Sequence, residues 1–222
     1  MKDFFIDNSL TEVCPNIALG CISYQVTVKK ECTDLWKYIE KDVIPNIKES
    51  VKMEQVSHEK NIKETREIYK KLKKDPNRYR VSSESLIRRI LQDKGLYKIN
   101  NIVDINNLIS IVSRYSVGSY DLSKLGDSLC FRVGFSGETY KGIGKEIINI
   151  ENLPVFSDEL GAYGSPTSDS ERAMITLTSH NILTIIISFS GVENIEYNLH
   201  QAKKYLELYT DAHSLELRII KA

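Results

Sequence analysis

The residues best suited to chemistry lie in three polar stretches. The richest is FSDELGAYGSPTSDSER, residues 156 to 172. Gly161 and Gly164 permit unusual backbone angles and let a ligand approach the main chain. Ser165, Thr167, Ser168 and Ser170 are small hydrogen-bonding groups, and Tyr163 adds a ring and a hydroxyl. Asp158, Glu159, Asp169 and Glu171 make the stretch acidic, opposed only by Arg172. A loop of this composition suits a ligand bearing an ammonium group and suits phosphate poorly. Backbone amides between Gly161 and Ser165 could stabilise an oxyanion, while Glu159 or Glu171 holds an amino group. The competing reading is an ordinary solvated loop.

The second stretch is INNIVDINN, with Asn100, Asn101, Asp104, Asn106 and Asn107. These side chains either tie a helix entry to the backbone or line the mouth of a cleft. The third is SVGSYDLSKL, where Gly118 allows close approach, Tyr120 offers a ring and hydroxyl, and Asp121 can cap or coordinate. One further concentration is basic. Nine cations between Lys60 and Arg80 face Glu64, Glu67 and Asp75, with Glu59 adjoining. Lys70, Lys71, Lys73, Lys74, Arg78 and Arg80 are its candidate phosphate contacts; a solvated helix face is the alternative.

Other chemistries are missing. Cys14, Cys21, Cys32 and Cys130 form no CxxC pair, and the four histidines are isolated in sequence, so neither a metal nor a cofactor is expected. There is no GxSxG nucleophile elbow. Lys+Arg and Asp+Glu both count 30 in 222 residues. With no net charge, any contact with nucleic acid must come from a local patch. No apolar run reaches the roughly 18 residues of a membrane span, and the N-terminus lacks a signal-peptide pattern. The expectation is a reduced, cytoplasmic protein that does not enter membranes; its oligomeric state is left open.

The elements that would position these residues follow from periodicity. Residues 17–28 alternate as a strand. A helix starts at Thr33, and Pro45 is expected to end or kink it. A charged helix covers 57–74 and stops at Asp75-Pro76. Ser82 or Ser83 caps the next helix, which ends near Gly95. The Asn-rich stretch opens a helix with Ile102, Ile105, Leu108, Ile109 and Val112 in register. Beyond Gly118 the pattern turns to strands, predicted in SLCFRVGF, EIINI, AMITLTS, ILTIIISF and SLELRII. A helix at 194–209 interrupts them. The run Ile182–Phe189 reads as a central strand covered on both sides. The fold class is therefore α+β, a single domain over 1–222. Residues 1–80 supply a strand and charged helices, and 81–222 a mixed or antiparallel sheet flanked by helices.

Taken in order, RYRVSSE, NNIVDINNL, YDL and ELGAYGSPTSDSER resemble stand-alone B3/B4 domain proteins. They also resemble the B3/B4 domain of the bacterial phenylalanyl-tRNA synthetase beta subunit. The resemblance covers roughly residues 60 to 210. It implies a mixed sheet and a pocket among the three polar stretches, the site that in the synthetase hydrolyses tyrosine wrongly attached to tRNA. On that alignment Asn100, Asn101, Asp104, Asn107, Asp121, Gly161, Gly164 and Ser168 occupy matching places, and Arg88 could meet the terminal nucleotide. The family's histidine is Gly118 here, its strand glutamate falls near Thr176–Thr178, and Ser165 replaces a glycine. The expected partner is tRNA or aminoacyl-tRNA. Hydrolysis of a mischarged ester, non-catalytic RNA or protein binding, and recognition of a free amino acid are the functions in play.

Overall fold

The structure, a computed structural model, describes residues 2–144 and 146–222. The chain begins with β1 (Asp3–Ile6), a single helical turn α1 (Asn8–Thr11) and β2 (Ala18–Gln25). Helices α2 (Thr33–Tyr38), α3 (Ile44–Ser50), α4 (Lys60–Lys71), α5 (Ser82–Leu91) and α6 (Asn101–Ser113) follow. Then come β3 (Ser116–Asp121), β4 (Ser128–Val133), β5 (Thr139–Lys141), β6 (Ile147–Asn149), β7 (Pro154–Asp158), β8 (Gly161–Gly164) and β9 (Asn181–Ser188). The described chain closes with α7 (Ile195–Tyr209) and β10 (His213–Lys221).

The strands form two four-stranded sheets and a β5–β6 ribbon. The order β10-β2-β9-β3 is antiparallel throughout. The order β1-β4-β7-β8 is mixed, because β1 runs parallel to β4. Alternation along β9 sorts its side chains between two cores. Ile182 and Ile186 face the helices, packing with Ile105, Leu108 and Leu199. Leu183, Ile185 and Ile187 face the second sheet, packing with Phe131, Phe156 and Tyr163. The expected central strand is therefore covered by helices on one face and by a sheet on the other. The two faces separate the residues of β3 as well. Val117 and Ser119 lie opposite Ile186 and Thr184, whereas Gly118 and Tyr120 lie opposite Ile185 and Leu183.

Four local expectations change. Pro45 does not stop its helix. A π-helical turn over Ile39–Val43 precedes it, and the Ile44 N–H reaches back five residues to the Ile39 carbonyl. The widened turn carries the chain into α3 with Pro45 in its first turn, where a missing N–H costs nothing. AMITLTS is not a strand. Both edges of β9 are already taken by β2 and β3, and Ser179 ties the segment into a turn by accepting the Thr176 N–H. The GAYG part of the acidic stretch is not loop but strand β8, paired with β7. Neither Ser82 nor Ser83 caps α5, whose N-cap position is Val81. No helix among the described residues is long and apolar enough to cross a membrane.

Candidate functional site

The Asn-rich stretch is spent on holding α6 in place. Asn100 caps the helix, its Oδ1 accepting the Val103 N–H at 2.9 Å. Asn101 Oδ1 accepts the Lys29 N–H at 2.9 Å, and its Nδ2 donates to the Thr27 carbonyl. Asp104 accepts the Trp36 indole N–H at 2.7 Å and the Ile99 N–H at 3.0 Å. Burial pushes the Asp104 carboxyl up, and those two donors only partly restore it. Asn106 bonds across to β3, donating to the Val117 carbonyl and accepting from Ser119. Asn107 lies half-buried on the same helix.

The first and third stretches do meet, and Tyr120 fills the place where they meet. The Tyr120 side chain is buried, and its hydroxyl donates to Asp169 Oδ1 at 2.8 Å. Gly118 and Gly164 flank that hydroxyl so closely that a Cβ on either would overlap it. The two glycines thus make room for an internal tyrosine. Tyr163 packs edge-on against it, with ring centroids 4.9 Å apart, and Phe156 lies at 5.7 Å.

Two further tyrosines fasten residues 165–169. The Tyr69 hydroxyl shares a hydrogen bond with Thr167 Oγ1 at 2.8 Å. The Tyr140 hydroxyl donates to Ser165 Oγ at 3.2 Å and to the Ser168 carbonyl. Ser165 gathers its own loop, its Oγ accepting the Thr167 and Ser168 N–H groups and donating to the Ser168 carbonyl. The Pro166 carbonyl accepts the Ser82 N–H that opens α5. Burial, then the Asp169 charge, raises Tyr120 and Tyr140 well above the ordinary phenol range. Both remain neutral donors. Tyr69 and Tyr140 carry no sequence signal for this role. They come from a charged helix and a short ribbon, and only the fold brings them to the loop.

The acids are likewise committed. Asp158 forms a two-pronged ion pair with Arg172 at 2.8 and 3.0 Å and also accepts the Gly126 and Leu160 N–H groups. Burial opposes the Asp158 charge, but these donors hold the carboxyl below its ordinary range. Arg172 also donates to the Gly161 carbonyl. Asp121 accepts from Ser123 and from Ser179 Oγ at 2.6 Å. Glu159 accepts the Asp127 N–H, and Glu171 pairs with Lys141 at 3.0 Å. No residue from 161 to 172 is exposed. The stretch is an inward plug and not an open rim. The Tyr163 hydroxyl, buried within it, has no hydrogen-bond partner among the described residues. A cavity of about 240 Å³ opens beside Cys32, Trp36, Lys98 and Ile99. A hollow of about 430 Å³ lies beside Tyr24, Leu122 and Glu216. Neither is lined by residues 161–172.

Arg88 donates to the buried carboxylate Glu84 at 2.8 Å. Glu84 also receives Arg66 at 2.9 Å and Arg80 at 3.6 Å. The rest of the basic segment points outward. Lys70, Lys71, Lys73, Arg78 and Arg80 are exposed. Lys74 is half-buried, with its ammonium 4.5 Å from the centroid of the half-buried Tyr79 ring, and the Arg78 guanidinium lies 5.7 Å from the same ring. Among the described residues, Arg80 is the one member of this set within salt-bridge distance of an acid. All four cysteines are free thiols, and no group of three potential ligands among the described residues is placed to hold a metal.

The B3/4 domain family model matches residues 64–220. No curated protein matches the chain. A crystal structure of an N-terminal fragment of the phenylalanyl-tRNA synthetase beta-subunit from Pyrococcus horikoshii is similar, with a TM-score of 0.48 and 10% identity. That match covers 98% of this chain and 50% of the fragment. The chain thus spans about half the length of that fragment. All four sequence blocks carrying the resemblance fall inside the matched region, and the chain belongs to the B3/4 domain family.

Proposed function

We propose that this chain is a non-catalytic RNA-binding domain. It takes tRNA, charged or uncharged, by its phosphate backbone on the surface formed by Lys70, Lys71, Lys73, Lys74, Arg78 and Arg80. One observation carries the reading: these cations are concentrated on a short exposed segment while, among the described residues, a single acid pairs with any of them. Tyr79 gives the patch an aromatic ring on which an unstacked base can lie. The inner face of the same segment grips the 165–169 plug through Tyr69 and through the Tyr79 carbonyl, which accepts from Thr167. The cations are therefore held on a rigid support. Family membership supports a tRNA-related role. Ester hydrolysis at the three polar stretches draws no support from the geometry, because tyrosines fill the meeting place and the acids are satisfied by internal donors.

The test is titration of an unmodified tRNA transcript, followed by filter binding at several salt concentrations. Affinity should fall with salt, the logarithmic slope being about 0.7–0.9 per phosphate contacted. Replacing Lys70, Lys71 and Lys73 by Glu should abolish binding. Salt-independent binding, or none, overturns the proposal. A parallel panel of mischarged tRNAs should show deacylation no faster than the spontaneous rate; acceleration would restore the hydrolytic reading.

A further inference from the structure

Strand β10 ends its sheet and, among the described residues, pairs only with β2. The Ala222 N–H donates to the Ile17 carbonyl. By the alternation of an antiparallel ladder, even-numbered residues of β10 from Glu216 onward direct their backbone groups to β2. The backbone groups of Leu217 and Ile219 then point away from the sheet, an edge with no partner strand among the described residues and of the kind that templates strand addition. Side chains along this edge alternate too. Leu215, Leu217 and Ile219 are half-buried against the helical core, while Glu216 and Arg218 are exposed on the opposite face.

We infer that this edge is the interface for a second copy of the chain, joined as an antiparallel β10–β10 pair about a two-fold axis at Leu217. The strand is self-complementary in that register. A two-fold axis perpendicular to the sheet must pass through a residue, so that paired side chains share a face. Centred on Leu217, the pairing sets Glu216 against the partner's Arg218 twice and Leu215 against the partner's Ile219 twice. Centred on Arg218, it would oppose two like charges. Centred on Ile219, it would set Arg218 against Ile220 and Leu217 against Lys221. Opposite charges directly across a ladder stabilise it and like charges destabilise it. Glu216 and Arg218, which on a lone edge would discourage pairing, therefore select one register. The bulge between His213 and Glu216 leaves the charged pair Glu216 and Arg218 within the regular ladder.

Sedimentation velocity of the full chain under reducing conditions tests the inference. The chain should be a dimer. Glu216→Arg and Arg218→Glu should each weaken association about tenfold or more, since the axis doubles every like-charge contact. The double exchange should restore it. A monomer at all accessible concentrations overturns the inference, and so does a dimer indifferent to both single reversals. Circular dichroism and thermal midpoint confirm that each variant is folded, and the double exchange distinguishes lost pairing from lost structure.

Discussion

Two neighbouring regions treat polar residues in opposite ways. Residues 161–172 are rich in glycine, hydroxyls and charge, yet none of them is exposed. The segment Lys70–Arg80 is of comparable polarity and sends most of its cations into water. They touch through Tyr69, Tyr79 and Thr167. The difference lies in the partners available. Hydroxyls and carboxylates can be satisfied by tyrosines, backbone amides and Arg172, so they can be buried at little cost. Lysines of one sign crowded on a short segment find few such partners, the Val13 carbonyl for Lys71 and Asn149 for Lys74, and stay largely solvated. Polar density in a sequence therefore reports a demand for hydrogen bonds without reporting who meets it.

That contrast can be broken from the buried side first. Arg172→Met leaves Asp158 charged and enclosed, and breaking such a pair should cost about 3–5 kcal/mol in urea unfolding. The wild-type pair also has a pH signature. The folded Asp158 carboxyl lies below its ordinary value, so the stability it supplies is present above an unfolded pKa of about 3.9. It is lost as pH falls through the lower, folded value. The difference between wild type and Arg172→Met should shrink over that acid range, and a constant difference would refute the assignment.

A smaller effect is expected at the tyrosine seat. Gly164→Ala places a methyl against the Tyr120 hydroxyl and should cost about 1–3 kcal/mol. In the Tyr120→Phe background the same change should cost less, because the hydroxyl is gone; equal costs in both backgrounds would show that the glycine serves something else. The smallest effect on stability belongs to the basic surface. Glu at Lys70 and Lys73 should move the unfolding free energy by no more than about 0.5 kcal/mol. A large loss of stability there would mean that these lysines are structural and the contrast is false.

Much of the frame was legible. The periodicities of α6, α7, β2, β9 and β10 are set by apolar spacing, and each element forms where its pattern lies. AMITLTS shows the limit, since its alternation is strand-like but no free edge adjoins it. GAYG shows the converse, for it has little strand character and becomes β8 through pairing with β7. Pro45 misleads because a π-helical turn absorbs the defect, and that turn leaves no mark on composition. At the candidate site, the sequence identifies Tyr120, Gly164 and Asp169 as notable residues. It does not show that the hydroxyl of the first occupies the space beside the second and bonds the third.

By itself the sequence determined the family, the α+β class, the position of its longest elements and the concentration of basic charge. These depend on spacing along the chain, which folding does not alter. The tertiary structure alone decided that β3 presents Ser119 to one core and Tyr120 to the other, and that three tyrosine hydroxyls from separate elements close on one loop. Adjacent strand residues point to opposite faces, and a hydrogen bond joins residues remote in sequence. Whether a polar group serves the fold or faces solvent is therefore set by neighbours that only packing supplies.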